Sequence, residues 1–149
     1  MTNALQLRAF TSALALFSLT LAPSLAAQSP ARITEATIGE ANPVTPEIST
    51  AQLRQILDEG KTPVLDVRSA QEYAIAHIPG SINHYEKELE QITQAYPDPS
   101  AALVLYCNGP YCGKSKRLSE ELLKKGYTNI RRYQLGLPVW RALDRKSVV

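Results

Sequence analysis

AALVLYCNGPYCGKSKRL, residues Ala101–Leu118, decides the reading of this chain, because it holds both of the cysteines and joins two kinds of pattern. Ala101 to Cys107 is a continuous apolar run. Such a run suits a strand buried on both faces, as in a parallel sheet covered by helices. From Ser115 to Lys125 the apolar residues Leu118, Leu122 and Leu123 recur at helical spacing, and Gly126 supplies a stop. The cysteines, Cys107 and Cys112, therefore lie in a strand–loop–helix turn.

The flanking sequence repeats this alternation. STAQLRQILDEG is expected to be a helix, with Ser49 and Gln52 forming a capping box, Gly60 ending it, and Leu53, Ile56 and Leu57 facing inward. A short strand follows at Val64, Leu65 and Val67. A second capping box, Ser69 with Glu72, opens the helical SAQEYAIAH, and the turn at Pro79-Gly80 leads into another short strand. EKELEQITQAY reads as a helix with Leu89 and Ile92 inward. After Gly126, NIRRYQ is a last strand and LPVWRAL a terminal helical turn anchored by Trp140 and Leu143. Strands alternating with helices predict an α/β domain with a mostly parallel sheet. Ligands of such sheets sit at the carboxyl ends of the strands, where the loop after Tyr106 lies.

The 149 residues, with a formal net charge of +2, point to one domain and give no argument for nucleic acid or membrane as a partner. Residues 1–26 read as a signal peptide: one positive charge at Arg8, the uncharged AFTSALALFSLTLA, then small residues before a cut after Ala26 or Ala27. The apolar run is short against the roughly 20 residues of a membrane span. The expected location is periplasmic or secreted, without membrane attachment once the signal is cleaved. Residues 27–47, with Pro30, Pro43 and Pro46, read as a linker or extended lead-in, and residues 48–149 as the folded domain. In an oxidising compartment, neighbouring thiols tend to pair unless something keeps them reduced.

Three chemistries compete for the loop. A phosphate-binding G-x-x-x-x-G-K-[ST] loop fits Gly113-Lys114-Ser115, but its first glycine falls on Asn108 and Gly109 comes one position late. A structural zinc site wants four Cys or His ligands, and His77 and His84 lie in a separate stretch. A Cys107–Cys112 disulfide closes only a small ring and removes little chain entropy. The third is a cysteine nucleophile. Backbone N–H groups of the loop and the positive end of the following helix would lower the thiol pKa of Cys107. Lys114, Lys116 and Arg117 at that helix start oppose the helix dipole, which makes sense beside a bound anion. For Lys116 and Arg117, plain solvent exposure serves equally well.

LDVRSAQEYAIAHIPGSIN (Leu65–Asn83) resembles the rhodanese signature D-V-R-x-x-x-E-[FY]-x-x-G-H-I-P-G-[AS], and LVLYCNGPYCGKSKRLSEEL and GYTNIRRYQLGLPVW resemble the active-site strand–loop–helix and the closing segment of the same domain. The resemblance spans Ile48 to Leu143. It implies a rhodanese-like three-layer sandwich, a mostly parallel central sheet with helices on both faces, and calls for no cofactor or metal. It places the nucleophile at Cys107, which would take sulfane sulfur from a small anion such as thiosulfate as a persulfide and pass it to a thiol, cyanide or protein acceptor. The loop residues Asn108, Gly109, Pro110, Tyr111, Gly113, Lys114 and Ser115 would hold the anion. Asp66 is expected to accept backbone N–H bonds at the base of the loop, and Arg68 and Glu72 to pair across the short helix. His77 reads as scaffold.

The chain departs from the family pattern in three places. Six residues separate Cys107 from Lys114, against the usual four. Cys112 adds a second thiol inside the loop, resolving or disulfide-forming. Ala76 and Leu135 stand where glycine is usual. The sequence therefore supports a sulfurtransferase, with a thiol-redox protein using the Cys107/Cys112 pair or a non-catalytic binding module as alternatives. A phosphatase-like activity is more distant, since it needs arginine for bidentate oxyanion contacts where Lys114 stands.

Overall fold

Every strand pairing in the computed structural model is parallel, in the order β2-β1-β3-β4. The structure describes residues 31–144, so the signal-peptide reading of residues 1–26 lies outside it. The strands are β1 (Val64–Asp66), β2 (Ile82–Asn83), β3 (Leu103–Tyr106) and β4 (Ile130–Tyr133). A short turn, α1 (Ala31–Thr34), is followed by α2 (Thr50–Glu59), α3 (Ala70–Ile75), α4 (Leu89–Ala95), α5 (Lys114–Lys124) and α6 (Gly136–Asp144).

Local chemistry sets the helix ends as expected. Ser49 caps α2 and Ser69 caps α3, each in a complete capping box with Gln52 and Glu72, and Gly60 ends α2 in the left-handed conformation. The central strands β1 and β3 are buried throughout, which explains their unbroken apolar runs. Alternate residues go to opposite faces. Val64, Val104, Tyr106 and Tyr133 pack with Leu53 and Ile56 of α2 and with Leu137 and Trp140 of α6. Leu65, Leu103, Leu105 and Ile130 pack with Ile92 of α4 and with Leu118 and Leu122 of α5. Helices thus cover both faces, giving three layers, and Cys107 belongs to the α4/α5 side.

The lead-in lies along β4. Glu47 bridges to Arg132 in parallel, Ile48 N donates to Arg132 O at 2.9 Å, and Arg132 N donates to Pro46 O at 2.9 Å. The Arg132 side chain is buried and donates to Thr45 Oγ1 (2.9 Å) and Glu40 Oε2 (2.6 Å). Glu40 also accepts from Gln134 Nε2 (2.9 Å) and pairs with Lys116 on α5 (2.6 Å). Glu47 in turn holds the Gly39 and Glu40 N–H groups at 3.0 and 2.8 Å.

Two packing expectations are corrected. On α5, Leu123 is exposed, and the inward position is taken by Ser119, fully buried because its hydroxyl donates to Ser115 O at 2.7 Å. On α6, Leu143 is only half-buried, and Leu137 joins Trp140 as the core anchor.

Gly136 opens α6 with φ +68°, and a Cβ there would lie 2.3 Å from Gly109 N and 2.5 Å from Cys107 O. Gly136→Ala is expected to cost about 1–3 kcal/mol through the left-handed backbone alone, and more through the overlap, read as a lower urea midpoint. A second expectation concerns Glu40, whose carboxyl is held down from 4.5 to about 2, first by Lys116 and then by Arg132. Since the folded pKa is depressed, its stabilisation is complete above the unfolded value and fades as pH falls toward 2. Glu40→Gln should therefore be less stable than wild type at pH 7, with the gap closing between pH 4.5 and 2 in urea titrations.

Candidate functional site

At the carboxyl end of β1, Asp66 is fully buried and saturated with donors. It accepts from Arg68 N (3.0 Å) and Nε (2.8 Å) at one oxygen, and from Arg68 Nη2 (2.6 Å) and the Tyr106 hydroxyl (2.5 Å) at the other. The Tyr106 hydroxyl also accepts from Ile78 N and contacts Ser81 Oγ. Burial first, then the neighbouring Asp66 charge, raises the Tyr106 pKa, so the phenol stays protonated. Arg68 continues outward, donating through Nη2 to Ala76 O (2.7 Å) and through Nη1 to Asn108 Oδ1 (3.0 Å).

These contacts correct two expectations. Asp66 accepts the backbone N–H of Arg68, not one from the cysteine loop. Arg68 pairs with Asp66 at 2.6 Å, leaving Glu72 to Lys114 at 2.8 Å. The reason is burial: a guanidinium only 4% exposed needs the carboxylate buried beside it, whereas Glu72 sits nearer solvent.

The loop leaves β3 at Cys107. Gly109, at φ +116°, turns the chain, and Cys112 N closes the turn on Gly109 O at 3.0 Å. Pro110 and Tyr111 form the tip, with Tyr111 fully exposed. The backbone of Gly136 presses on the loop from α6, and Leu137 N donates to Cys107 O at 3.1 Å. Gly113 precedes α5 without a side-chain cap, and Ser115 in its first turn is buried.

Both thiols are free. Cys107 is only 2% exposed, and its Sγ lies 3.0 Å from Cys112 O and 3.6 Å from Ser115 Oγ. The expected lowering of the thiol pKa is not what this arrangement produces. Burial and the contacts with Cys112 push Cys107 up to about 11, against the weaker opposing pull of the Ser115 N–H and hydroxyl. A carbonyl facing the sulfur stabilises S–H and repels a thiolate. Cys112 is half-buried against the same apolar cluster.

Each basic residue at the start of α5 has a carboxylate partner, although Arg117 and Lys116 remain well exposed, at 60% and 41%. Lys114 Nζ donates to Glu72 Oε2 at 2.8 Å, Lys116 pairs with Glu40, and Arg117 forks onto both oxygens of Glu86 at 3.0 and 2.9 Å. Glu72 also accepts from Asn108 Nδ2 (2.6 Å), Ser69 N (3.1 Å) and Ser69 Oγ (2.9 Å), and Lys114 foremost holds its pKa down to about 2. Beside the loop is a cleft of ≈ 280 Å³ lined by Glu72, Ile75, Asn108, Leu137 and Arg141. His77 stacks on Tyr73 and touches its backbone carbonyl, as scaffold residues do.

Sequence reasoning missed Tyr106, Asn83 and Gly136. Asn83 Nδ2 ties Asp66 O to Arg68 O at 3.0 and 2.9 Å. The tyrosine closing an otherwise aliphatic strand was the available signal, since a buried phenol needs a partner.

The rhodanese-like domain model matches residues 49–143. The chain is 31% identical over 116 residues to a human thiosulfate:glutathione sulfurtransferase, covering 68% of this chain and 96% of that protein. It is 37% identical over 68 residues to a thiosulfate sulfurtransferase of Escherichia coli (strain K12), covering 44% of this chain and 62% of that one. Among solved structures, a human single-domain sulfurtransferase aligns with a TM-score of 0.56 at 26% identity, over 70% of this chain and 99% of its own. With four parallel strands between two helical layers and a cysteine at the carboxyl end of β3, the chain belongs to the rhodanese-like domain family.

Proposed function

We propose that this protein is a sulfurtransferase that moves sulfane sulfur from a donor such as thiosulfate to a thiophilic acceptor through a persulfide on Cys107. The observation that carries it is the placement of Cys107 at the carboxyl end of the central strand β3, between the Gly136 backbone and the start of α5. The similarity to named thiosulfate sulfurtransferases supports the same class of chemistry. The Cys107 thiolate attacks the outer sulfur of the donor, the donor S–S bond breaks, and sulfite leaves when the donor is thiosulfate. An acceptor thiolate then attacks the outer persulfide sulfur and regenerates the Cys107 thiolate. Splitting the transfer into two displacements is ordinary covalent catalysis.

The attack requires Cys107 to give up its S–H contact with Cys112 O, so the geometry of residues 108–113 controls reactivity. Asn108, Gly109, Pro110, Tyr111, Gly113, Lys114 and Ser115 frame the donor, with the Ser115 N–H the group already set toward the sulfur. Asp66, Arg68 and Glu72 keep the frame in place. In this reading Cys112 is a second thiol beside the persulfide, able to resolve it or to form a disulfide. The sequence of residues 1–26 supports a mature protein acting in the periplasm or outside the cell.

Intact mass after incubating the reduced protein with thiosulfate is expected to show one added sulfur atom. The adduct should vanish in Cys107→Ser and persist in Cys112→Ser; the reverse pattern would move the nucleophile to Cys112. Alkylation supplies an independent check. With the thiol pushed up to about 11, the rate of Cys107 modification should keep rising with pH above the ordinary free-thiol midpoint of about 8.5. A midpoint near neutrality would show that a different loop arrangement dominates in solution.

A further inference from the structure

The two thiols of the loop differ in access and in the charge around them. Cys107 ends the buried strand β3, is 2% exposed, and has the carbonyl of Cys112 at 3.0 Å from its sulfur. Cys112 is half-buried and stands between the exposed Tyr111 and Gly113, on the outer limb of the loop. It packs on the same apolar cluster as Cys107 and is in side-chain contact with it. Lys114, held first by Glu72, also feels Cys112, and Arg117, held first by Glu86, feels Cys112 ahead of Cys107. A negative sulfur is therefore better placed at Cys112 than at Cys107, where burial opposes charge. A small donor needs only a brief shift of the loop to reach Cys107. A thiol acceptor carried on a larger molecule must bring its sulfur into line with a buried S–S bond.

We propose that Cys112 is a second sulfur carrier: it takes the outer sulfur from the Cys107 persulfide and presents it to a thiol acceptor too large to reach Cys107. The step rests on the sulfur-transfer reading and adds an internal transfer to it. The proton of the Cys112 thiol passes to the outer persulfide sulfur. The Cys112 thiolate then attacks that sulfur, the bond to Cys112 forms, and the bond to Cys107 breaks. The new hydropersulfide gives its proton to the departing Cys107 thiolate. One sulfur moves outward, the net charge is unchanged, and no oxidant or reductant is consumed. Cys107 returns to the protonated state that its contact with the Cys112 carbonyl favours, and the negative charge ends within reach of Lys114 and Arg117.

The test loads reduced wild type and Cys112→Ser with thiosulfate, removes the donor, and follows loss of the added sulfur by intact mass after glutathione or cyanide is added. Serine keeps the size of the side chain, but its hydroxyl takes up no sulfur. Cyanide is small enough to enter where the donor entered. Cys112→Ser is expected to slow discharge to glutathione about tenfold more than discharge to cyanide, the difference being the local opening that the larger acceptor then requires. Equal slowing of both, or no slowing, overturns the relay. Position is read separately, by alkylating the loaded wild type and fragmenting the loop peptide. Sulfur on Cys112 supports the relay, and sulfur on Cys107 alone overturns it. A chain two hydrogens lighter, with hydrosulfide released, would show attack on the inner sulfur and a disulfide instead, and also overturns it. Those results leave transfer through Cys107 standing, whereas a wild type that gains no sulfur from thiosulfate removes that reading and the relay together.

Discussion

The buried carboxylate of Asp66 is the constraint on which the functional end of this molecule depends. It terminates β1 in a place where water cannot reach it, so every lone pair must find a donor. Those donors come from Arg68 and from Tyr106 at the end of the neighbouring strand. Arg68 then reaches the end of α3 through Ala76 O and the cysteine loop through Asn108. One charge thereby ties two strands, a helix and the loop to a common frame. Removing either partner would leave the other charged and buried, which is far more damaging than the net worth of the intact pair.

Around that frame the loop is held by backbone and not by bulk. Gly136 lies so close to Cys107 O and Gly109 N that no side chain fits, and the Leu137 N–H completes the contact. The cost is a sulfur with almost no exposure, facing a carbonyl. A thiol in that position is protected from indiscriminate oxidation, because the thiolate is the species that oxidants attack. Reactivity is then governed by how readily the Cys112 peptide moves, which links the extra length of the loop to its chemistry.

Much of this was legible in the sequence where the signal is local. The capping boxes at Ser49/Gln52 and Ser69/Glu72, the doubly buried strand before Cys107 and the order of strands and helices all follow from short-range patterns. The site was legible as a place, but not as a network. Arg68 and Glu72 stand close together across the start of α3, yet their real partners are a strand-end carboxylate and a lysine 42 residues away. The helical spacing that put Leu123 inside ignored that a serine hydroxyl can satisfy itself on the preceding turn, as Ser119 does. The raised pKa of Cys107 is not legible in the sequence, because loop composition does not reveal whether N–H groups or a carbonyl will face the sulfur.

Glu40 shows how the outline of a family and the outline of a folding unit can differ. The family match begins at residue 49, but this carboxylate, nine residues earlier, grips a cation in the edge strand with one oxygen and a cation at the start of α5 with the other. An excised domain trimmed to the family boundary would keep every residue of the signature. It would nevertheless leave the buried Arg132 guanidinium without its counter-charge and free the helix that follows the cysteine loop on one side. Where such a domain is cut is therefore itself a perturbation of the site.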